Sequence, residues 1–137
     1  MKFRLITPEK VIVEAEMSSV TLPAATGEIT ILPGHVPLVA QLGHGEMVIR
    51  DDKEHTYAVA GGFVTVNPEG VQVLAESADH TDEIDSEKAE AARAQAEKLR
   101  EAAQSEEEIA VATGALERAL AQLKVAGRKR KHHTRLG

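Results

Sequence analysis

The chain changes character once, near Ile84, and this change limits the folds that are open to it. All five prolines lie between Pro8 and Pro68, whereas residues 84–127 contain no proline and thirteen alanines. Proline punctuates strands and turns, and alanine has the highest helix propensity. The sequence therefore predicts a β module followed by a helical arm.

The composition restricts both the core and the chemistry of the chain. Aromatic residues make up only 2% of the 137 residues and tryptophan is absent, so the core has to be built from Val, Ile and Leu. There is no cysteine, which excludes disulfides, thiolate metal sites and thiol catalysis. No apolar run approaches the ~20 residues of a membrane-spanning helix, and we expect no signal peptide.

Residues 1–83 have the pattern of short strands joined by turns. Two stretches predict β-hairpins, one with its turn at residues 51–53 and one with its turn at residues 67–70. Short strands at this spacing are typical of a β-sandwich or a barrel. We therefore expect residues 1–83 to form one β domain, and the whole chain to belong to the α+β class.

Residues 84–127 show two narrow seams with the spacing of a helical hairpin. The seams comprise Ala89, Ala92, Ala96, Leu99 and Ala103, then Ile109, Ala112, Leu116, Ala119 and Leu123. Ser105 and Glu108 form a capping box that starts a second helix, so the helices fold back antiparallel. Leu99 is the only large residue of the first seam. Because alanine buries little surface, we expect a hairpin of marginal stability.

Residues 128–137 form a basic tail on an acidic body. Five Lys and Arg residues lie there without an acidic residue, and because the chain has a net charge of −6, the remainder carries −11. Such an asymmetry indicates a binding partner for the tail itself. Nucleic acid is one candidate class, although the run lacks the aromatic side chains on which bases stack.

The sequence contains neither of the phosphate-binding motifs G-x-x-x-x-G-K-[ST] and G-x-G-x-x-G. It also lacks the nucleophile motif G-x-S-x-G and the zinc-binding motif H-E-x-x-H. Asp79, His80 and Asp82 are metal-ligating residue types, but in a polar linker such side chains are more often simply solvated. His35 has no nucleophile paired with it, so a hydrogen-bonded turn histidine is the simpler interpretation. From the residues we expect no catalytic residue, no metal and no cofactor.

Four segments occur in the same order in a known family. The first, GEITILPGHVPL, spans residues 27–38, and the second joins GGFVTV at 61–66 to VQVLAESA at 71–78. The third, IDSEKA at 84–89, opens the arm, and the fourth, LERALAQL, spans 116–123. On these motifs the chain, from its first strand to about Val125, resembles the epsilon subunit of F-type ATP synthases.

The resemblance implies a ten-stranded β-sandwich followed by an antiparallel two-helix hairpin. It implies a non-catalytic subunit of the central rotor, which transmits torque between the c-ring and the gamma subunit. Its helices rise along gamma to inhibit ATP hydrolysis, and in that state they contact the beta and alpha subunits. The family reaches the membrane only through the c-ring, peripherally, on the cytoplasmic face of the bacterial inner membrane or its organelle equivalent.

The resemblance also assigns roles to residues. Gly27 and Glu28 are expected to face the polar loops of the c-ring, with His35 close to the interface with gamma and the c-ring. One form of the family binds ATP as a regulatory ligand, through residues that match Ile84, Asp85, Lys88, Ala89 and Arg118. Lys88 stands where arginine is usual, and lysine keeps the charge but loses the bidentate fork. Gln122 stands where a second arginine would be.

Three functions of different classes are compatible with the sequence. The first is the rotor subunit, which binds no nucleic acid. In it, an extended second helix carries basic residues to an acidic loop of the beta subunits. Those residues are Arg128, Lys129, Arg130 and Lys131. The second is an ATP-sensing module whose hairpin closes on the nucleotide. The third is a β-sandwich adaptor whose basic tail binds nucleic acid.

Overall fold

A computed structural model describes the backbone of residues 1–136 and the side chains of residues 1–127. Its strands are β1 (Lys2–Ile6), β2 (Val11–Glu16), β3 (Ser19–Ala24), β4 (Gly27–Ile31), β5 (Leu38–Gln41), β6 (His44–Arg50), β7 (Glu54–Asn67) and β8 (Gly70–His80). A 3-10 turn at Thr81–Glu83 leads to the helices α1 (Ser86–Ala102) and α2 (Glu106–Leu136).

One hydrogen-bonded sheet folds over on itself to make the sandwich. The strand order is β2-β1-β8-β7-β6-β3-β4, with β5 beside β7. Neighbouring strands are antiparallel, except that β1 and β8 are parallel. Because residues 54–60 of β7 pair with β6 and residues 63–66 pair with β5, this strand belongs to both layers. The two predicted hairpins are confirmed as β6–β7 and β7–β8.

The α+β class is confirmed, but the count of ten strands is wrong, since the described residues form eight. β7 and β8 are 14 and 11 residues long, so both run further than the short strands that the sequence predicts. β7 bends at Gly61 and Gly62, where φ is 70° and 108°. Pairing with β8 resumes in the same register beyond the bend, so one strand serves two layers.

The core of the sandwich is mainly aliphatic, as the composition predicts. Its cluster of buried residues draws on strands from both ends of the sheet order, which is what closes the two layers on each other. The largest fully buried side chains of the sandwich include Phe3, Leu5, Leu22, Ile31, Met47 and Ile49. Burying a side chain of this size contributes about 1.5–3 kcal/mol.

The two helices start where the sequence predicts. The carboxylate of Asp85 caps α1 by accepting hydrogen bonds from two backbone N–H groups of the first turn, at 2.9 and 3.2 Å. At the start of α2, the hydroxyl of Ser105 accepts a hydrogen bond from the backbone N–H of Glu108 at 3.1 Å. The Glu108 carboxylate accepts one from the N–H of Gln104 at 3.2 Å. These bonds satisfy N–H groups that a helix start leaves unpaired.

The contact face of α1 differs from the predicted seam. Ala89 and Ala96 are buried as predicted, but Ala92 is exposed and Leu99 keeps 50% of its surface exposed. Arg93 and Ala94, rather than Ala92, are the half-buried residues between the two buried alanines. Alanine lies on several faces of α1, so the sequence offers little contrast by which to fix the rotation of the helix.

Candidate functional site: the interface between the sandwich and α2

α2 lies against β6 and β7, and α1 lies against α2. The apolar part of this interface is a small cluster in which Ala58 of β7 meets Ala121 and Val125 of α2, each 1% exposed. Ile84 packs against the same cluster. It is separate from the core cluster of the sandwich. Small side chains let the helix approach the sheet closely, but they bury little apolar surface.

A polar contact lies directly beside this cluster. Asp79 of β8 is opposite Ala58 in the β7–β8 register, and its side chain is buried. The Nε and Nη2 atoms of Arg118 donate hydrogen bonds to the two oxygens of the Asp79 carboxylate, at 3.1 and 2.7 Å. Nε2 of Gln122 donates a third, at 3.0 Å. Arg118 and Gln122 are one helical turn apart, so a single face of α2 holds the carboxylate.

This contact is a bidentate, charge-assisted pair. The pKa of Arg118 is raised, first by its hydrogen bonds to Asp79, against the opposing effect of partial burial, and then by the charges of Asp79 and Glu9. Because an arginine side chain stays protonated in proteins, Arg118 meets Asp79 as a cation. The side chain of Arg118 is 53% exposed, however, so solvent screens the pair and its net contribution stays modest.

A cleft of about 550 Å³ opens beside the same interface, between the bend of β7 and α2. Glu76 and Glu117 line it together with His44 and the two glycines of the bend. Among the side chains of residues 1–127, no group of three or more His, Asp or Glu residues is placed to hold a metal ion.

Four of the five residues that the resemblance assigns to ATP are engaged by other parts of the protein. Arg118 holds Asp79, and Asp85 caps α1. Ile84 packs against the Ala58 cluster, and Ala89 is buried. Lys88 is exposed. The side chains of Arg118 and Asp85 therefore have hydrogen-bond partners within the protein and do not need a nucleotide to provide them.

The residues assigned to the rotor interface lie at two ends of one strand. Gly27 and Glu28 begin β4, at its turn with β3, and Glu28 is exposed. His35 lies in the loop after the other end of β4, where its backbone N–H donates to the carbonyl of Leu32 at 3.0 Å. The interpretation of His35 as a hydrogen-bonded turn residue is confirmed. The structure does not bring it together with Gly27 and Glu28.

Sequence reasoning missed Asp79. It placed Asp79 and His80 in a polar linker, whereas the structure places both in β8. No local pattern could have identified the role of Asp79, because its partners lie 39 and 43 residues further along the chain.

The predicted contact residues Arg128, Lys129, Arg130 and Lys131 lie outside the described side chains. Across the part of the chain that the structure describes, no helix is long and apolar enough to cross a membrane.

The fold and the interface define a two-part protein in which a helical arm is docked on a β-sandwich. The chain belongs to the ATP synthase delta/epsilon family, because two models of that family match consecutive parts of it. The model of the beta-sandwich domain matches residues 1–81, and the model of the long alpha-helix domain matches residues 82–127. The resemblance found in the four sequence segments is thereby confirmed.

Individual relatives match over nearly the whole length. The ATP synthase epsilon chain of Herpetosiphon aurantiacus is 39% identical over 131 residues, covering 95% of this chain and 96% of the relative. That of Moorella thermoacetica is 39% identical over 129 residues, covering 93% and 96%. A chain in the OSCP/F1/c-ring structure of Euglena gracilis mitochondrial ATP synthase superposes with a TM-score of 0.68 and 28% identity, over 84% of this chain and 74% of that one.

Proposed function

We propose that this chain is the epsilon subunit of an F-type ATP synthase, a non-catalytic part of the central rotor. Relatives that carry the epsilon name cover it almost end to end, and a structural relative comes from an assembly that contains F1 and the c-ring. The family membership favours this function over an ATP-sensing module and over a nucleic-acid adaptor. In this role the chain couples rotation of the c-ring to ATP synthesis through gamma, and its helices inhibit ATP hydrolysis.

The separate packing of the arm is the observation that carries the inhibitory part of the proposal. The Ala58, Ala121 and Val125 cluster does not merge with the core of the sandwich. Each buried methyl or methylene contributes ~0.8 kcal/mol, so the apolar contact is weak. α2 can therefore leave the sheet without exposing the core of the sandwich, which is what a mobile inhibitory arm requires.

An exposed apolar pair offers a surface for gamma. Phe63 of β7 and Leu74 of β8 face each other in the register and are 54% and 43% exposed. Val39, on β5 beside β7, is 72% exposed. Neighbouring exposed apolar side chains of this size on a soluble domain indicate an interaction site. We assign this surface to gamma.

The chain has two candidate surfaces for binding the c-ring, one at each end of β4. One is the turn with Gly27 and Glu28, and the other is the loop that contains His35. Leu32 and Val36 of that loop are 55% and 73% exposed. Contact with the c-ring gives the chain a peripheral location, which we propose is the cytoplasmic face of the bacterial inner membrane or its organelle counterpart.

Binding to gamma is tested by co-purification of the full chain with gamma. Phe63→Asp places a charge on the proposed surface and should weaken binding by at least tenfold. Val111→Asp is the matched control, because Val111 is a 73% exposed apolar residue that belongs to α2 rather than to the proposed strand surface. If Phe63→Asp and Val111→Asp retain gamma equally well, the surface is wrong, and if the unmodified chain fails to bind gamma, the rotor assignment is wrong.

Inhibition is tested by adding the full chain to an F-type ATPase that lacks its own epsilon subunit. We expect the rate of ATP hydrolysis to fall. A fragment ending at residue 83, which keeps the sandwich and loses both helices, should still bind gamma but should leave hydrolysis uninhibited. Equal inhibition by the full chain and the fragment contradicts the role of the arm.

A further inference from the structure

The docked arm is held by one buried acid. Asp79 is 9% exposed, and among the described side chains of residues 1–127 it is the one polar or charged residue that is buried. A buried carboxylate is costly unless hydrogen bonds compensate its lost hydration. Its three bonds from α2 all come from Arg118 and Gln122. The carboxylate is therefore satisfied only as long as α2 lies on the sheet or water takes its place.

Arg118 differs from Arg93, another arginine of the arm that is paired with carboxylates, in where its partner lies. Arg93 of α1 donates to the carboxylates of Glu90 and Glu97, which belong to the same helix. Those bonds travel with the helix and are unaffected by whether the arm is docked. The bonds of Arg118 span from α2 to β8 and exist only in the docked arrangement.

The apolar cluster beside Asp79 cannot orient the helix by itself. Contacts between methyl groups are not directional, and Ala58 and Ala121 offer no shape that fixes a rotation of α2. A planar guanidinium that meets both carboxylate oxygens fixes distance and rotation together. The amide of Gln122, one turn along, fixes the axial position.

We propose that Asp79, Arg118 and Gln122 form a releasable clamp that sets the docked fraction of the arm. The apolar cluster supplies non-specific attraction, and the clamp selects the docked register. The regulatory meaning of the clamp rests on the proposed inhibitory function, but its existence as a docking device does not.

The absence of cysteine allows a direct measurement on the isolated full chain. Ala121→Cys places a thiol where the side chain is 1% exposed in the docked state. Its rate of reaction with a thiol reagent then reports how often α2 leaves the sheet. A second reporter, Val64→Cys, lies at 0% exposure in the core of the sandwich and reports global unfolding.

In the Ala121→Cys background, Asp79→Asn, Arg118→Lys and Gln122→Ala should raise the labelling rate. Asp79→Asn changes all three bonds, but solvent screens the pair with Arg118, so we expect an increase of about 3- to 20-fold. The increase for Arg118→Lys should be smaller, since lysine keeps the charge but loses the fork. The matched control Arg93→Lys should change the rate by less than about twofold, and Val64→Cys should stay protected in every variant.

The clamp is refuted if Asp79→Asn leaves labelling at Ala121→Cys within about twofold of the parent chain. It is equally refuted if Arg93→Lys has as large an effect, or if Val64→Cys becomes reactive in parallel, because either result reports general destabilisation. A double-mutant cycle of Asp79→Ala and Arg118→Ala should show coupling, and additivity counts against the clamp. Hydrolysis assays test the inhibitory function separately. Variants that release the arm without changing inhibition would support the clamp and overturn the inhibitory function.

Discussion

A Cβ atom placed on Gly62 lies 1.8 Å from the carbonyl oxygen of Leu74 on the neighbouring strand. Gly62 also has a φ of 108°, which side-chain-bearing residues rarely adopt. The bend that lets β7 serve both layers of the sandwich therefore depends on a residue without a side chain.

Gly62→Ala should destabilise the sandwich strongly. The strand has to move away from β8 or lose its bend, and we expect a loss of about 3–5 kcal/mol, the range of severe single substitutions. Chemical denaturation of the full chain measures this loss. A change below about 1 kcal/mol means that the bend tolerates a side chain and that the steric argument fails.

Gly114→Ala should have the opposite sign. Gly114 lies inside α2, and no atom comes within 4 Å of a Cβ placed there. Alanine in a helix interior is favoured over glycine by about 1 kcal/mol, so α2 should become more stable by nearly that amount. Hydrogen exchange of the amides of α2 tests this, and slower exchange is the expected result. Faster exchange would mean that α2 needs flexibility at this position.

Leu99→Ala should cost little. The seam pattern predicted Leu99 as the largest contact of α1, but half of its surface is exposed in the structure. We expect about 1 kcal/mol or less, below the ~2–5 kcal/mol of truncating a buried leucine. Ala96→Leu is the comparison, because Ala96 is 2% exposed and a larger side chain there forces the helices apart. Exchange of the helix amides should accelerate more in Ala96→Leu than in Leu99→Ala. The reverse order would mean that Leu99, and not Ala96, lies at the contact between the helices.

A cysteine pair across the interface should lock the arm. Ala58 and Ala121 belong to one buried cluster, and the chain has no cysteine to compete for pairing. Oxidised Ala58→Cys/Ala121→Cys should fail to inhibit ATP hydrolysis, and a reductant should restore inhibition. Each single cysteine variant is a control and should inhibit in both redox states. Persistent inhibition by the oxidised pair shows that the docked arm itself inhibits.

Replacing Arg128, Lys129, Arg130 and Lys131 by alanine should relieve inhibition and leave assembly with gamma intact. Charge pairs at a partly solvated interface contribute ~0.2–1 kcal/mol each, so four of them shift a two-state equilibrium by ~1–4 kcal/mol. The difference should shrink with salt, because the Debye length falls from ~10 Å at 0.1 M to ~3 Å at 1 M. Identical ATPase rates for the two chains at low and high salt leave the tail without a role.

The sequence by itself determined the features that depend on neighbouring residues. The change in composition near Ile84 divides strands from helices, and Asp85 caps α1 because a carboxylate at that position reaches the N–H groups of the next turn. Ser105 and Glu108 start α2 for the same local reason. The family, too, was readable from four short segments.

The tertiary structure decided what depends on distant residues. The sequence could not show that β7 continues through Gly61 and Gly62, because the bend is supported by pairing with β8. Nor could it fix the face of α1 on which Leu99 lies, since an alanine-rich helix offers little contrast between its faces. Asp79 had the appearance of a solvated linker residue until the fold placed Arg118 against it, 39 positions away. A buried carboxylate is stable only when hydrogen bonds replace its lost hydration, and here the fold brings the donors from a distant part of the chain.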